Sequence, residues 1–265
     1  MFDYQFMINA FIAILLVTPL FGLLSTMVVS NRMAFFSDSL GHGAFTGIAV
    51  GVLLGSSSPL ISLVIFSIAF ALLITYIKNR SRVGADTVIG VFSSTAIAVG
   101  LMIMSSGGAF NKFSSYLIGD LLSITRDDLI ALSIVFVAVL AMWALLFNQL
   151  LVMSINASFA RSRGIAALRV EAIFAAMLAV VVSISIQWVG ILIINSLLVL
   201  PAAASRNVTN DVKHYNLMSV MIALISGVSG LMIAYEFDTA AGATIVVIAA
   251  AIYFITFALR KRFIK

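Results

Sequence analysis

A succession of apolar segments, each long enough to cross a bilayer and set off from the next by a short polar break, limits the fold of this chain more than any other feature. About 17 to 25 predominantly apolar residues suffice for a membrane-crossing helix. Nine such segments occur, at about 6–29, 37–55, 59–77, 86–105, 128–147, 168–186, 188–205, 213–234 and 240–259. The composition agrees, with 63% hydrophobic and only 9% charged residues, where charged residues make up about a quarter of a soluble domain. The expected fold is all-α, a polytopic transmembrane bundle forming a single domain over residues 1–265. The second and seventh segments are the least regular. An eight-span alternative joins the short sixth and seventh segments as a broken hairpin.

The basic residues set the expected orientation. With the N-terminus outside, the cytoplasmic loops hold Arg32, Lys78, Arg80, Arg82, Arg161, Arg163, Arg169, Arg206, Lys213, Arg260, Lys261, Arg262 and Lys265, which leaves only Lys112 and Arg126 of the 15 outside. That division follows the positive-inside rule and places the C-terminus in the cytoplasm. The formal charge of +5 is spent at span ends rather than in one basic patch, so nucleic acid is not an expected partner. Met1 to Gln5 contain Asp3 and no Lys or Arg. The basic start of a signal peptide is missing, and the first segment is expected to stay as a span.

Local signals mark the breaks. Pro59 follows three serines and suits a first helical turn. Thr125 and Asp128 have capping-box spacing before the fifth segment. Pro19 and Pro201 fall inside apolar runs, where each removes a backbone hydrogen bond. Two connections are longer than the rest. The outer one, Ser106 to Asp127, includes Tyr116 to Leu122 as a candidate short helix. The inner one, Asn148 to Leu168, contains Ser154 to Gly164, a short polar helix with Gly164 as a plausible C-cap.

Several chemistries are excluded. The chain has no cysteine, hence no disulfide, thiolate metal site or cysteine nucleophile. No GxxxxGK[ST] loop is present, so any ATP drive must come from a partner. GHGAFTG only superficially resembles a dinucleotide fingerprint, because Thr46 takes the last glycine position and no strand precedes it. The only two histidines, His42 and His214, are far from four residues apart, so HExxH chemistry is excluded.

What remains is concentrated in Arg32 to Gly55. Residues four apart share a helix face, so Asp38, His42 and Thr46 form a polar stripe, beside a second stripe of Gly43, Gly47, Gly51 and Gly55. Small residues at this spacing let membrane helices approach closely. Ionisable groups within a span point to a substrate or ion path, and a carboxylate with an imidazole suits zinc, manganese or iron. The competing reading is that Asp38 caps the second helix while His42 bonds a neighbour. Two ligands make a weak site within one chain. Two copies on a twofold axis would supply two Asp and two His.

RMAFFSDSLGHGAFTG, ADTVIGVFSSTAIAVG, SSYLIGDLLSITRDDL, VGILIINSLLVLPAAASR and EFDTAAGATIVV, in that order, resemble the permease subunit of the bacterial zinc/manganese ABC importers, and most closely its zinc-uptake branch. The resemblance covers nearly the whole chain. It implies a non-catalytic subunit in the bacterial cytoplasmic (inner) membrane, with a second copy of itself, two cytoplasmic ATP-binding subunits and an extracytoplasmic metal-binding protein as partners. Nothing is held permanently; the implied cargo is Zn2+ or Mn2+. The family's pathway residues fall on Asp38 and His42. Its cytoplasmic coupling segment falls at about 154–167, with Asn156, Ala157, Phe159, Ala160, Arg163 and Gly164 meeting the ATPase. One position departs from the pattern: zinc-uptake members carry a His after the DTLLG-like start of the fourth span, and here it is Ser94. This weakens the case for zinc, which stays first with manganese next. An ABC permease for a siderophore or cobalamin chelate, or an ion-coupled secondary carrier, are the alternatives.

Overall fold

The structure, a computed structural model, describes residues 4–55, 59–106 and 119–263. Within them the chain forms α1 (Gln5–Ser30), α2 (Ala34–Leu53), α3 (Pro59–Arg80), α4 (Ala85–Ser106), a 3-10 turn (Leu121–Ser123), α5 (Arg126–Ile155), the short α6 (Ala157–Ser162), α7 (Ala167–Val189), α8 (Ile191–Arg206), α9 (Val212–Phe237) and α10 (Ala241–Phe263). Each of the nine expected segments coincides with a helix. Seven of these, all but α2 and α8, are long and apolar enough to cross a membrane. The two exceptions have separate causes. Ser37, Asp38, Ser39, His42 and Thr46 dilute the apolar content of α2, and α8 has only 16 residues.

The predicted capping box forms. Thr125 and Asp128 make a reciprocal capping box at the start of α5, and Pro19 and Pro201 lie inside α1 and α8. Of the candidate helix Tyr116 to Leu122, residues 116–118 lie outside the described residues. Its remainder is the 3-10 turn, whose N-cap Asp120 accepts from the Leu122 amide at 3.1 Å.

Helix α1 sits near the centre, against α9, α8 and α5. Of its most apolar stretch 67% is buried, as for α7, against 17% for α5 and 11% for α10. These two therefore form the periphery. On α5 the exposed Ile130, Ile134, Val137 and Leu145 are spaced to lie on one side. The α1–α9 seam is held by small and hydroxylic residues. A Cβ on Gly22 would stand 2.7 Å from the Val220 Cα, Ser219 donates to the Gly22 carbonyl at 2.7 Å, and Thr26 bonds Asn216 at 2.7 Å. With no hydrophobic drive between helices in lipid, such close approach and interhelical bonding take its place.

The helix ends gather in two groups. One end brings together Phe6, Met7, Gly119 to Leu122, Trp188, Tyr235 and Asp238 to Gly242 around a cavity of about 320 Å³. The other brings Ser30 to Arg32 beside Met153 to Ala157, and Ser30 beside Arg206 to Tyr215. Helices α7 and α8 are divided by Gly190 alone, at φ 87° and ψ 148°, a region glycine alone populates freely. Its neighbour in space is another glycine, Gly119, where a Cβ would meet the Gly190 nitrogen at 2.4 Å.

Candidate functional site

Helix α2 is enclosed on three sides. A Cβ on Gly43 would stand 2.5 Å from the Phe70 ring, one on Gly47 3.0 Å from the Phe66 Cβ and 3.2 Å from the Leu63 Cα, and one on Gly51 2.7 Å from the Ser62 Cβ. These glycines are the notch into which α3 fits. Gly55 takes no part in it. Helix α2 ends at Leu53, and Gly55, at φ 66°, has nothing within 4 Å of where a Cβ would be. On a second side the Thr46 hydroxyl donates to the Ala96 carbonyl of α4, and Thr46 is buried. It therefore leaves the stripe shared by Asp38 and His42, because α4 covers that turn. On a third side Gly41 meets Ile191 of α8.

The remaining face carries the pair. His42 Nε2 lies 3.6 Å from Asp38 Oδ2, with the two side chains 26% and 45% exposed. Both are thus reachable, and neither is sealed in the core. Asp38 does not cap α2: the helix starts at Ala34 with Met33 as its N-cap, so the carboxylate stands in the second turn. Chemically the pair offers one oxygen ligand group and one imidazole nitrogen. Among the described residues no three His, Cys, Asp or Glu come together in one group. His214 is elsewhere and exposed, beside Asp211 at the start of α9. There the His214 amide donates to the Asp211 carboxylate at 2.9 Å and, as the main cause, holds its pKa below the ordinary value.

Two further polar contacts have only faint sequence signals. The Ser37 hydroxyl, next to Asp38, lies 2.8 Å from each of two acceptors, the Ala34 carbonyl and the side-chain oxygen Oδ1 of Asn195 on α8. At the basic end, Glu171 of α7 pairs with Lys78 and accepts from Asn79 at 2.9 Å. The signal for the second was Glu171 itself, a lone acid in an apolar run that calls for a partner.

The segment between α5 and α7 is shorter than expected. Ser154 and Ile155 still belong to α5, and α6 covers only Ala157–Ser162. The Asn156 side chain caps it, accepting from the Ser158 and Phe159 amides at 2.9 and 3.0 Å. Gly164, at φ 78°, closes it: its amide donates to the Arg161 carbonyl and the Ile165 amide to the Ala160 carbonyl, at 3.0 and 3.1 Å. That is the two-bond Schellman closure for which a left-handed glycine is favoured. Ala157 and Phe159 are exposed, Arg163 lies over the Phe159 ring at 5.0 Å, and Ala160 is fully buried. Ala160 therefore faces its own chain.

The model of the ABC 3 transport family matches residues 3–260. This chain belongs to that family. Among its relatives, the high-affinity zinc uptake system membrane protein ZnuB of Haemophilus influenzae is 28% identical, over 90% of this chain and 92% of its own. The manganese transport system membrane protein MntC of Listeria monocytogenes is 27% identical, over 96% of this chain and 91% of its own. Among solved structures, PsaBC from Streptococcus pneumoniae in complex with Fab matches with a TM-score of 0.84 and 28% identity, covering 96% of this chain and 92% of that one. Membership of ABC 3 and the seven apolar helices make the chain a multi-pass membrane component of a transport system.

Proposed function

We propose that this chain is the membrane-spanning permease of an ATP-driven importer that moves a divalent transition metal ion, zinc first and manganese next, into the bacterial cytoplasm. Asp38 and His42 handle the ion on its way. The observation carrying this reading is the half-open Asp38–His42 pair, 3.6 Å apart on a helix otherwise enclosed, in a family with relatives named for zinc and for manganese uptake. Carboxylate oxygen and imidazole nitrogen suit a bare transition metal ion, and family membership favours ATP drive over an ion-coupled carrier. With two ligands per chain, water or a second copy on a twofold axis completes the shell.

The same reading makes residues 1–265 one domain in the cytoplasmic membrane, with nine spans, the N-terminus outside and the basic end in the cytoplasm. Two ATP-binding subunits dock there, on Asn156 to Gly164, through the outward Ala157, Phe159 and Arg163. An extracytoplasmic metal-binding protein delivers the ion at the opposite end.

Uptake of zinc and of manganese by vesicles with matched amounts of complex tests the site. Asp38→Ala and His42→Ala should each lower uptake about tenfold or more. The double variant should be little worse than either, because residues acting as one unit give non-additive losses. Wild-type uptake of both metals by both single variants would remove the pair from the pathway.

A further inference from the structure

At the basic end, the ammonium of Lys78, in the last turn of α3, contacts one carboxylate oxygen of Glu171, in the second turn of α7. The other oxygen accepts from the Asn79 amide at 2.9 Å, and that nitrogen also donates to the Thr75 carbonyl at 2.9 Å. Both protons of the Asn79 amide are used, and both carboxylate oxygens are engaged. Arg80 does not compete for Glu171, because it lies over the Tyr76 ring at 4.8 Å. The Lys78 and Glu171 side chains are only 16% and 15% exposed. A pair so far removed from water gives back much of its attraction as lost hydration, and apolar groups of similar volume often hold a fold as well. A role in register fits it better than one in stability.

The cluster stands where two rigid connections meet. On one side, α6 and α7 are separated only by Arg163 to Ala166, and three of these amides are tied back: Arg163 to Phe159, Gly164 to Arg161, Ile165 to Ala160. The buried Ala160 anchors that closure. A displacement of α6 is therefore passed to the start of α7. On the other side, α3 is seated in the Gly43, Gly47 and Gly51 notch so closely that no Cβ fits between. Interfaces of that density shift as a body rather than deform, so α3 and α2 move together, and α2 carries Asp38 and His42.

We infer that the Lys78–Glu171–Asn79 cluster is the joint that passes movement of the ATPase-facing segment to the metal-handling helix. Lys78 and Glu171 are positioning residues for transport. This rests on the proposed roles of Asn156 to Gly164 and of Asp38 and His42.

The test uses the complete complex, permease with its ATP-binding subunits, in proteoliposomes, with zinc uptake and ATP hydrolysis read from the same vesicles. Lys78→Met keeps the stem and removes the charge; Glu171→Gln keeps the shape. Each should retain hydrolysis while ions moved per ATP fall about tenfold, the size of a typical coupling between sites. The reversed pair Lys78→Glu with Glu171→Lys should recover most of that ratio. A wild-type ratio in both single variants overturns the joint. So does a parallel fall of uptake and hydrolysis in step with thermal stability, which marks a plain staple, and so does uncoupling that persists in the reversed pair. Asp38→Ala in the same vesicles separates the two readings: normal uptake there sinks the metal pair, whatever Lys78 and Glu171 do.

Discussion

Gly47 shows how one absent side chain fixes the position of a functional helix. Leu in its place would drive into the Phe66 Cβ and the Leu63 backbone, 3.0 and 3.2 Å from the first added carbon alone. Overpacking of this kind costs roughly 1–3 kcal/mol, so Gly47→Leu should lower the melting temperature in detergent and the yield of folded protein. Thermal unfolding against the wild type checks it. The glycine stripe was legible because a spacing of four keeps one helix face. Its fourth member was not, since the stripe outlasts the helix: α2 stops at Leu53, and Gly55 serves the turn beyond. The same holds for the polar stripe. One-turn spacing paired Asp38 with His42, but whether Thr46 joined them depended on α4 reaching that turn, which no spacing within α2 reports. The cap reading of Asp38 failed on a boundary, because α2 begins at Ala34 rather than near residue 37.

At the level of elements, α6 was legible by its ends and illegible by its faces. Asn156 and Gly164 announce a start and a stop in side-chain chemistry alone. Six residues make too few turns for an apolar period to tell the inner face from the outer. Phe159→Ala, altering an exposed ring, should leave thermal stability unchanged and lower uptake in the complete complex about tenfold, as loss of an aromatic anchor does at an interface. Ala160→Glu should act differently. It would bury a charge with no partner, which is strongly destabilising, and the melting temperature should fall whether or not the ATP-binding subunits are present. Unfolding curves of the isolated permease with both substitutions, beside transport assays, distinguish a surface from a support. Equal loss of stability in both would return Phe159 to the fold.

At the scale of the molecule, apolar runs and breaks placed the nine long helices, since in lipid each span must satisfy its own backbone. They did not reveal which helices form the centre, because lipid-facing and core-facing residues are alike in polarity. The proposed orientation rests on charge, and the absence of cysteine makes it directly measurable. Single cysteines at Val83 and Ser158 should react only with reagent inside, and those at Leu122 and Asp238 with impermeant reagent outside; all four positions are exposed. External labelling at Ser158 would reverse the topology. The contrast between α5 and α8 bears on the bilayer itself. At 1.5 Å per residue, the 30 residues of α5 extend about 45 Å, against about 30 Å of hydrocarbon, whereas the 16 of α8 extend only about 24 Å. Only α8 is therefore mismatched, because the apolar segment of α5, about 128–147, extends about 30 Å and its polar ends lie beyond the hydrocarbon. The short helix is sheltered, packed among α1, α2, α9 and α10, and need not meet the acyl chains along its length. The long one is peripheral, as is α10, so lipids of different chain length should be felt first along these two helices.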